Sequence, residues 1–127
     1  MTLAEHIQAV QARIAAAAEK AGRDPSEVTL VAATKVQTSE TIRAAIAAGI
    51  TVCGENRAQE FTQHWQDGAY KGAKVHFIGH LQKNKLKYLV GKVDMIESVD
   101  SEELIRLIDK RAQNLGIVQD ILIEVNI

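Results

Sequence analysis

The chain has 127 residues, with 15 Lys and Arg against 16 Asp and Glu, and 46% of it is hydrophobic. That is enough for one packed domain but not for two. A net charge of −1 sets up no global basic field for nucleic acid or anionic membrane, and no apolar run reaches the roughly 18 residues of a membrane span.

The single cysteine, Cys53, excludes an internal disulfide and a CxxC metal or redox site. The N-terminus has neither the basic nor the apolar region of a secretion signal, so a reducing cytoplasm is the expected compartment. Leu3, Ile7, Val10, Ile14 and Ala17 recur at helical spacing and predict an amphipathic helix. Thr2 and Glu5 form its capping box and Gly22 its stop. Asp24-Pro25 marks a turn. Val28 to Thr34 is a short, nearly continuous apolar run, the pattern of a strand buried on both faces. A helix over Ser39–Ala48 follows and closes at Gly49. The unit then recurs. Strands are expected at Ile50–Cys53, Val75–Ile78, Val93–Ile96 and Gln119–Ile127. Helices are expected at Asn56 to about Gln66 and Leu81 to about Val90. A last helix, capped by Asp100 with Glu103, carries Leu104, Ile105, Leu107 and Ile108 and ends at Gly116.

A leading helix and five strands alternating with helices imply a parallel α/β fold with right-handed crossovers. Two architectures compete, an open doubly wound sheet and a (β/α)8 barrel. A barrel needs about 250 residues, so this chain would supply only its first part. The polar residues clustered after each strand and the absence of a GxGxxG or Walker motif at the first strand-to-helix turn favour the barrel.

In parallel α/β folds, function sits at the C-terminal ends of the strands. Read in order, those ends are Thr34-Lys35, Gly54-Glu55-Asn56, Gly79-His80-Leu81-Gln82, Ser98-Val99-Asp100 and Asn126. An apolar strand that delivers Lys35 to this rim partly desolvates the amine, which favours the neutral nucleophile. The opposing reading is a lysine that keeps its head in water. His76 and His80 straddle a strand end and a turn and need not converge on a metal. Glu55 and Asn56 fit the cap and first turn of the next helix. Lys83, Lys85 and Lys87 read as solvated surface, and Cys53 as a small core residue.

LVAATK (Leu30 to Lys35), CGENRAQE (Cys53 to Glu60), HFIGHLQKNK (His76 to Lys85), IESVDS (Ile96 to Ser101) and ILIEVNI (Ile121 to Ile127) together resemble the pyridoxal-phosphate homeostasis proteins. GRDPSEVTL (Gly22 to Leu30) precedes them in matching order, so the resemblance covers essentially the whole chain. That family is itself similar to the N-terminal barrel of alanine racemase. The resemblance implies that residues 1–127 are the N-terminal portion of a single pyridoxal-phosphate-binding (β/α)8 barrel. It implies further that Lys35 holds pyridoxal 5′-phosphate as a Schiff base and that Asn56 and His76 line or support the pocket. Where the family often has a proline three residues after the lysine, this chain has Thr38. Members are longer, and the resemblance places their phosphate-holding loops after later strands, so the chain reads as truncated.

The expected function is cofactor binding in vitamin B6 homeostasis without robust turnover, with pyridoxal-phosphate-dependent apoenzymes as recipients and neither nucleic acid nor membrane as partner. A racemase or lyase of the same fold type would need an acid or base on each face of the cofactor, and Tyr70 and Tyr88 are not at strand ends. A binding module built on the Lys83–Lys87 patch is the remaining alternative.

Overall fold

The computed structural model describes all 127 residues. It contains five parallel strands, β1 (Ala32–Ala33), β2 (Val52–Glu55), β3 (Lys74–Phe77), β4 (Met95–Val99) and β5 (Asp120–Ile123). The helices are α1 (Leu3–Lys20), α2 (Ser39–Ala47), α3 (Ala58–Gln66), α4 (Leu86–Leu89) and α5 (Glu102–Leu115). The strands lie side by side in sequence order. A doubly wound sheet reverses its order at a switch point, and this one does not reverse. With crossovers of one hand, unreversed order puts the four connecting helices, α2 to α5, on the same face.

Capping residues set the helix ends. Thr2 Oγ1 accepts from Glu5 N (3.1 Å) and Glu5 Oε2 from Thr2 N (2.8 Å), the reciprocal box expected from sequence. Helix α1 is less buried than its apolar stripe suggests. Ile7 and Ala18 are buried, whereas Leu3 and Val10 remain exposed, because the helix leans on α2 at the margin of the sheet. Helix α5 starts one residue later than expected, at the Ser101 N-cap, whose hydroxyl accepts from Leu104 N. It buries Leu104, Ile108 and Ala112 and leaves Leu107 exposed.

Several expected elements are shorter or shifted. The run Val28–Thr34 pairs only at Ala32–Ala33, plus one further bond from Thr34 N to Gly54 O. As an edge strand it has a partner on one side alone, and Ala33 is exposed, so burial on both faces is not met here. Strand β2 runs on to Glu55, so Glu55 is a strand residue, and α3 opens only at Ala58. The helix expected over Leu81–Val90 reduces to a 3-10 turn at Lys83–Lys85 and the single turn of α4. Leu81, Leu86 and Leu89 are buried there, so apolar anchoring spaces this segment more than helical hydrogen bonding does.

The core lies between sheet and helices. Cys53, Val75, Phe77 and Ile96 point from the strands toward Ile42, Phe61, Leu89, Leu104 and Ile108. Phe61 stacks on Tyr70 with centroids 5.7 Å apart and meets Trp65 at 5.6 Å. Cys53 is fully buried, as expected of a small core residue, and burial followed by the nearby Glu55 carboxylate pushes its thiol up to about 11.

Candidate functional site at the strand ends

Register decides which side chains share the sheet face away from the helices. Ala33, Gly54, His76 and Met95 are lateral partners across β1 to β4. Side chains alternate along a strand, so one register step further this face carries Lys35, Asn56, Ile78 and Glu97. The three residues expected to contact a cofactor, Lys35, Asn56 and His76, therefore come to one face. Lys35 and Asn56 are on the rim row, and His76 lies one row deeper.

Lys35 sits in a tight turn. Gln37 N donates to Thr34 O at 3.2 Å, and Val36, the third residue of the turn, has φ 56° and is 84% exposed. A β-branched residue in the left-handed region is strained by about 1–3 kcal/mol, and this position of such a turn ordinarily takes glycine. Side chains from β2 and α3 hold the turn in place. Thr34 Oγ1 donates to Glu55 Oε1 (2.6 Å), Val36 N to Glu60 Oε2 (2.9 Å), and His64 Nε2 lies 2.9 Å from Gln37 O. The Lys35 side chain is exposed and forms no ion pair.

Asn56 is half-buried, and its Oδ1 is shielded from solvent without a hydrogen-bond partner. A buried acceptor of this kind is costly unless a donor reaches it. Gly79 packs directly over the Asn56 backbone. A Cβ there would stand 2.0 Å from Asn56 O, while Ser98 Oγ donates to Gly79 O from the other side. Gly54, beneath the rim, leaves the space in which Val31 and Ile78 close over β2, since a Cβ would meet each of them at 2.8 Å. The glycines of the GEN and HFIG motifs thus shape the floor and wall of the site.

His76 Nδ1 lies 2.9 Å from Glu97 Oε2, and the pair is largely shielded. His76 lines a groove of about 740 Å³ with Thr29, Thr51 and Met95, whereas His80 lines a separate cavity of about 350 Å³ with Asn56, Arg57, Gln82 and Lys85. The two histidines therefore face different spaces. Lys83 pairs with Glu103 at 2.6 Å, and Lys85 and Lys87 lie over the Tyr88 ring, the arrangement of solvated surface.

Sequence reasoning missed Glu97 and the cluster around Glu55. Alternation along β4 signals Glu97, an acid on the same side as His76. Glu55 was expected as a helix cap or first-turn residue, yet it is fully buried and takes hydrogen bonds on Oε1 from Thr34 and Tyr70 (2.7 Å), with His64 Nδ1 at 2.8 Å. The spacing of His64 from Phe61 by one helical turn was the available signal that it faces inward.

No protein-family model matches the chain. It is 44% identical over 127 residues, its whole length, to a pyridoxal phosphate homeostasis protein of Aquifex aeolicus, of which it covers 56%. Among solved structures, it superposes on an unknown protein from Bifidobacterium adolescentis with a TM-score of 0.87 and 38% identity, covering 94% of this chain and 53% of that one. PipY of Synechococcus elongatus, solved with PLP bound, gives a TM-score of 0.84 at 30% identity, covering 99% of this chain and 55% of PipY. The chain spans about half the length of the curated relatives it matches.

Proposed function

The chain is a homologue of the pyridoxal phosphate homeostasis proteins, and from that premise we propose that it binds pyridoxal 5′-phosphate through Lys35 and serves storage, delivery or balance of the cofactor. Residues 1–127 are then the first five strands of a single (β/α)8 barrel. The unreversed strand order and the single helical layer support this reading. The recipients are pyridoxal-phosphate-dependent apoenzymes. No helix is long and apolar enough to cross a membrane.

The observation that carries the reading is the rim row. Lys35 stands unpaired on a turn held from beneath, in line with an asparagine whose buried oxygen lacks a donor. These side chains suit a ligand that brings an aldehyde and hydrogen-bonding groups. Lys35 would hold the aldehyde carbon of such a ligand through its Nζ. Asn56 orients the ligand, and His76, with Nδ1 engaged by Glu97, presents its other ring nitrogen on the same face. When bound, the cofactor supplies an electron sink for amino-acid chemistry.

Binding rather than turnover fits the tyrosines. Tyr70 is committed to Glu55 in the core, its phenol pushed upward by burial and then by that carboxylate, and Tyr88 lies beneath Lys85 and Lys87. Neither offers an acid or base opposite Lys35. The deciding experiment adds pyridoxal phosphate, follows the visible spectrum, reduces with borohydride and maps the labelled peptide. Label at Lys35 is expected, and label confined to any other lysine rejects the assignment. Incubation of the loaded protein with L-amino acids in deuterated water should give no rapid Cα exchange. Fast exchange would establish a racemase or lyase instead.

A further inference from the structure

His64 occupies a position that the cofactor chemistry does not explain. It projects from α3 beneath the Lys35 turn, is buried, and has both ring nitrogens against oxygens. Nε2 lies 2.9 Å from Gln37 O and Nδ1 lies 2.8 Å from Glu55 Oε1. A carbonyl oxygen can only accept, whereas a carboxyl group accepts when ionised and can donate when protonated. Nε2 therefore carries a proton toward Gln37 O, and the Nδ1–Oε1 contact holds one more, on either atom. With one proton fewer, a bare nitrogen would face an oxygen lone pair in a site closed to water. With the proton on either atom the His64–Glu55 pair is neutral overall, as burial demands. Thr34 and Tyr70 hydroxyls complete the same oxygen.

We propose that His64 is a positioning residue for Lys35: its ring ties the Gln37 carbonyl, at the end of the lysine-bearing turn, to the Glu55 carboxyl group at the end of β2. The turn has a strained Val36 at its centre, and a strained turn persists only where its surroundings over-determine it. Its other ties are the Thr34 hydroxyl on Glu55 and the Glu60 carboxylate on Val36 N, which is an exposed contact. His64 provides the only side-chain bond to the far side of the turn, at Gln37. Freed of it, Val36 relaxes to negative φ and the Lys35 side chain leaves the row it shares with Asn56. The consequence for cofactor affinity rests on the reading of Lys35 given above. The restraint on the turn does not.

The test separates the two. In the purified chain, nitrogen-15 NMR should show a proton on His64 Nε2, and a bare Nε2 overturns the proposal. Amide exchange should quicken about tenfold or more at Val36 and Gln37 in His64→Leu while the β3 amide of Phe77 keeps its wild-type rate. His64→Gln retains an amide N–H that can reach Gln37 O, so it should stay within about threefold of wild type at the turn. It also serves if the leucine variant does not fold. Unchanged exchange at the turn in both variants, or equal acceleration at Phe77, overturns the positioning role. With pyridoxal phosphate, the leucine variant should bind about tenfold more weakly, with the glutamine variant between. Failure of the wild type to take up label at Lys35 would refute the cofactor reading alone, leaving the exchange and NMR results to decide the role of His64.

Discussion

Gly54 and Gly79, at neighbouring strand ends, are constrained by different neighbours. At Gly79 an added methyl meets the backbone of Asn56 at 2.0 Å, whereas at Gly54 it meets side-chain methyls of Ile78 and Val31 at 2.8 Å. Backbone on two paired strand ends cannot give way cheaply, while side chains can repack. Gly79→Ala should therefore cost about 3 kcal/mol or more and Gly54→Ala about 1–3 kcal/mol in urea unfolding. Both glycines were visible in the motifs, but sequence alone could not distinguish their roles, since a glycine letter does not say which atoms approach it. The buried acids of the core make a second prediction at this scale. Cys53 keeps its proton in the folded chain up to about pH 11, whereas the unfolded thiol loses it near 9. Unfolding then releases a proton, so stability falls as pH rises between those values, by about 2–3 kcal/mol, and levels off above them. Tyr70, pushed in the same direction, adds to the fall. Cys53→Ala should flatten the curve in part, as read by denaturant midpoints across that range.

Elements were legible in kind and order more than in extent. All five strands and both long helices fall where hydrophobic periodicity places them, because period-two and period-3.6 patterns survive in any tertiary context. Ends depend on which hydrogen-bond partners arrive. The last long helix was read as capped by Asp100, yet the side chain that accepts from Leu104 N belongs to Ser101. Ser101→Ala should cost about 1 kcal/mol and Asp100→Ala less than about 0.5 kcal/mol, measured by thermal or denaturant unfolding. The same reasoning explains β1. An apolar run of helix-free sequence becomes ladder only where a neighbour lies beside it, and at the edge of the sheet that is Ala32–Ala33 and little more.

At the scale of the molecule, helices cover one face of the sheet, and β1 and β5 are its two edges. On and after β5, Leu122, Ile123, Val125 and Ile127 are all exposed. An apolar edge strand is a template for pairing with another chain. Leu122→Lys should lower concentration-dependent association of the chain, measured by light scattering, with little change in its unfolding midpoint. The sequence by itself determined the alternating parallel architecture, the strand-end placement of Lys35 and Asn56, and the resemblance that similarity over this chain's own length to about half of each pyridoxal phosphate homeostasis protein supports. Those features are written in local periodicity and in short motifs. Only the tertiary structure decided that the strand order never reverses, that Glu97 meets His76, and that Glu55 and His64 meet beneath the Lys35 turn. Each of these joins residues from separate elements, and such contacts exist only once parallel pairing has fixed the register between strands.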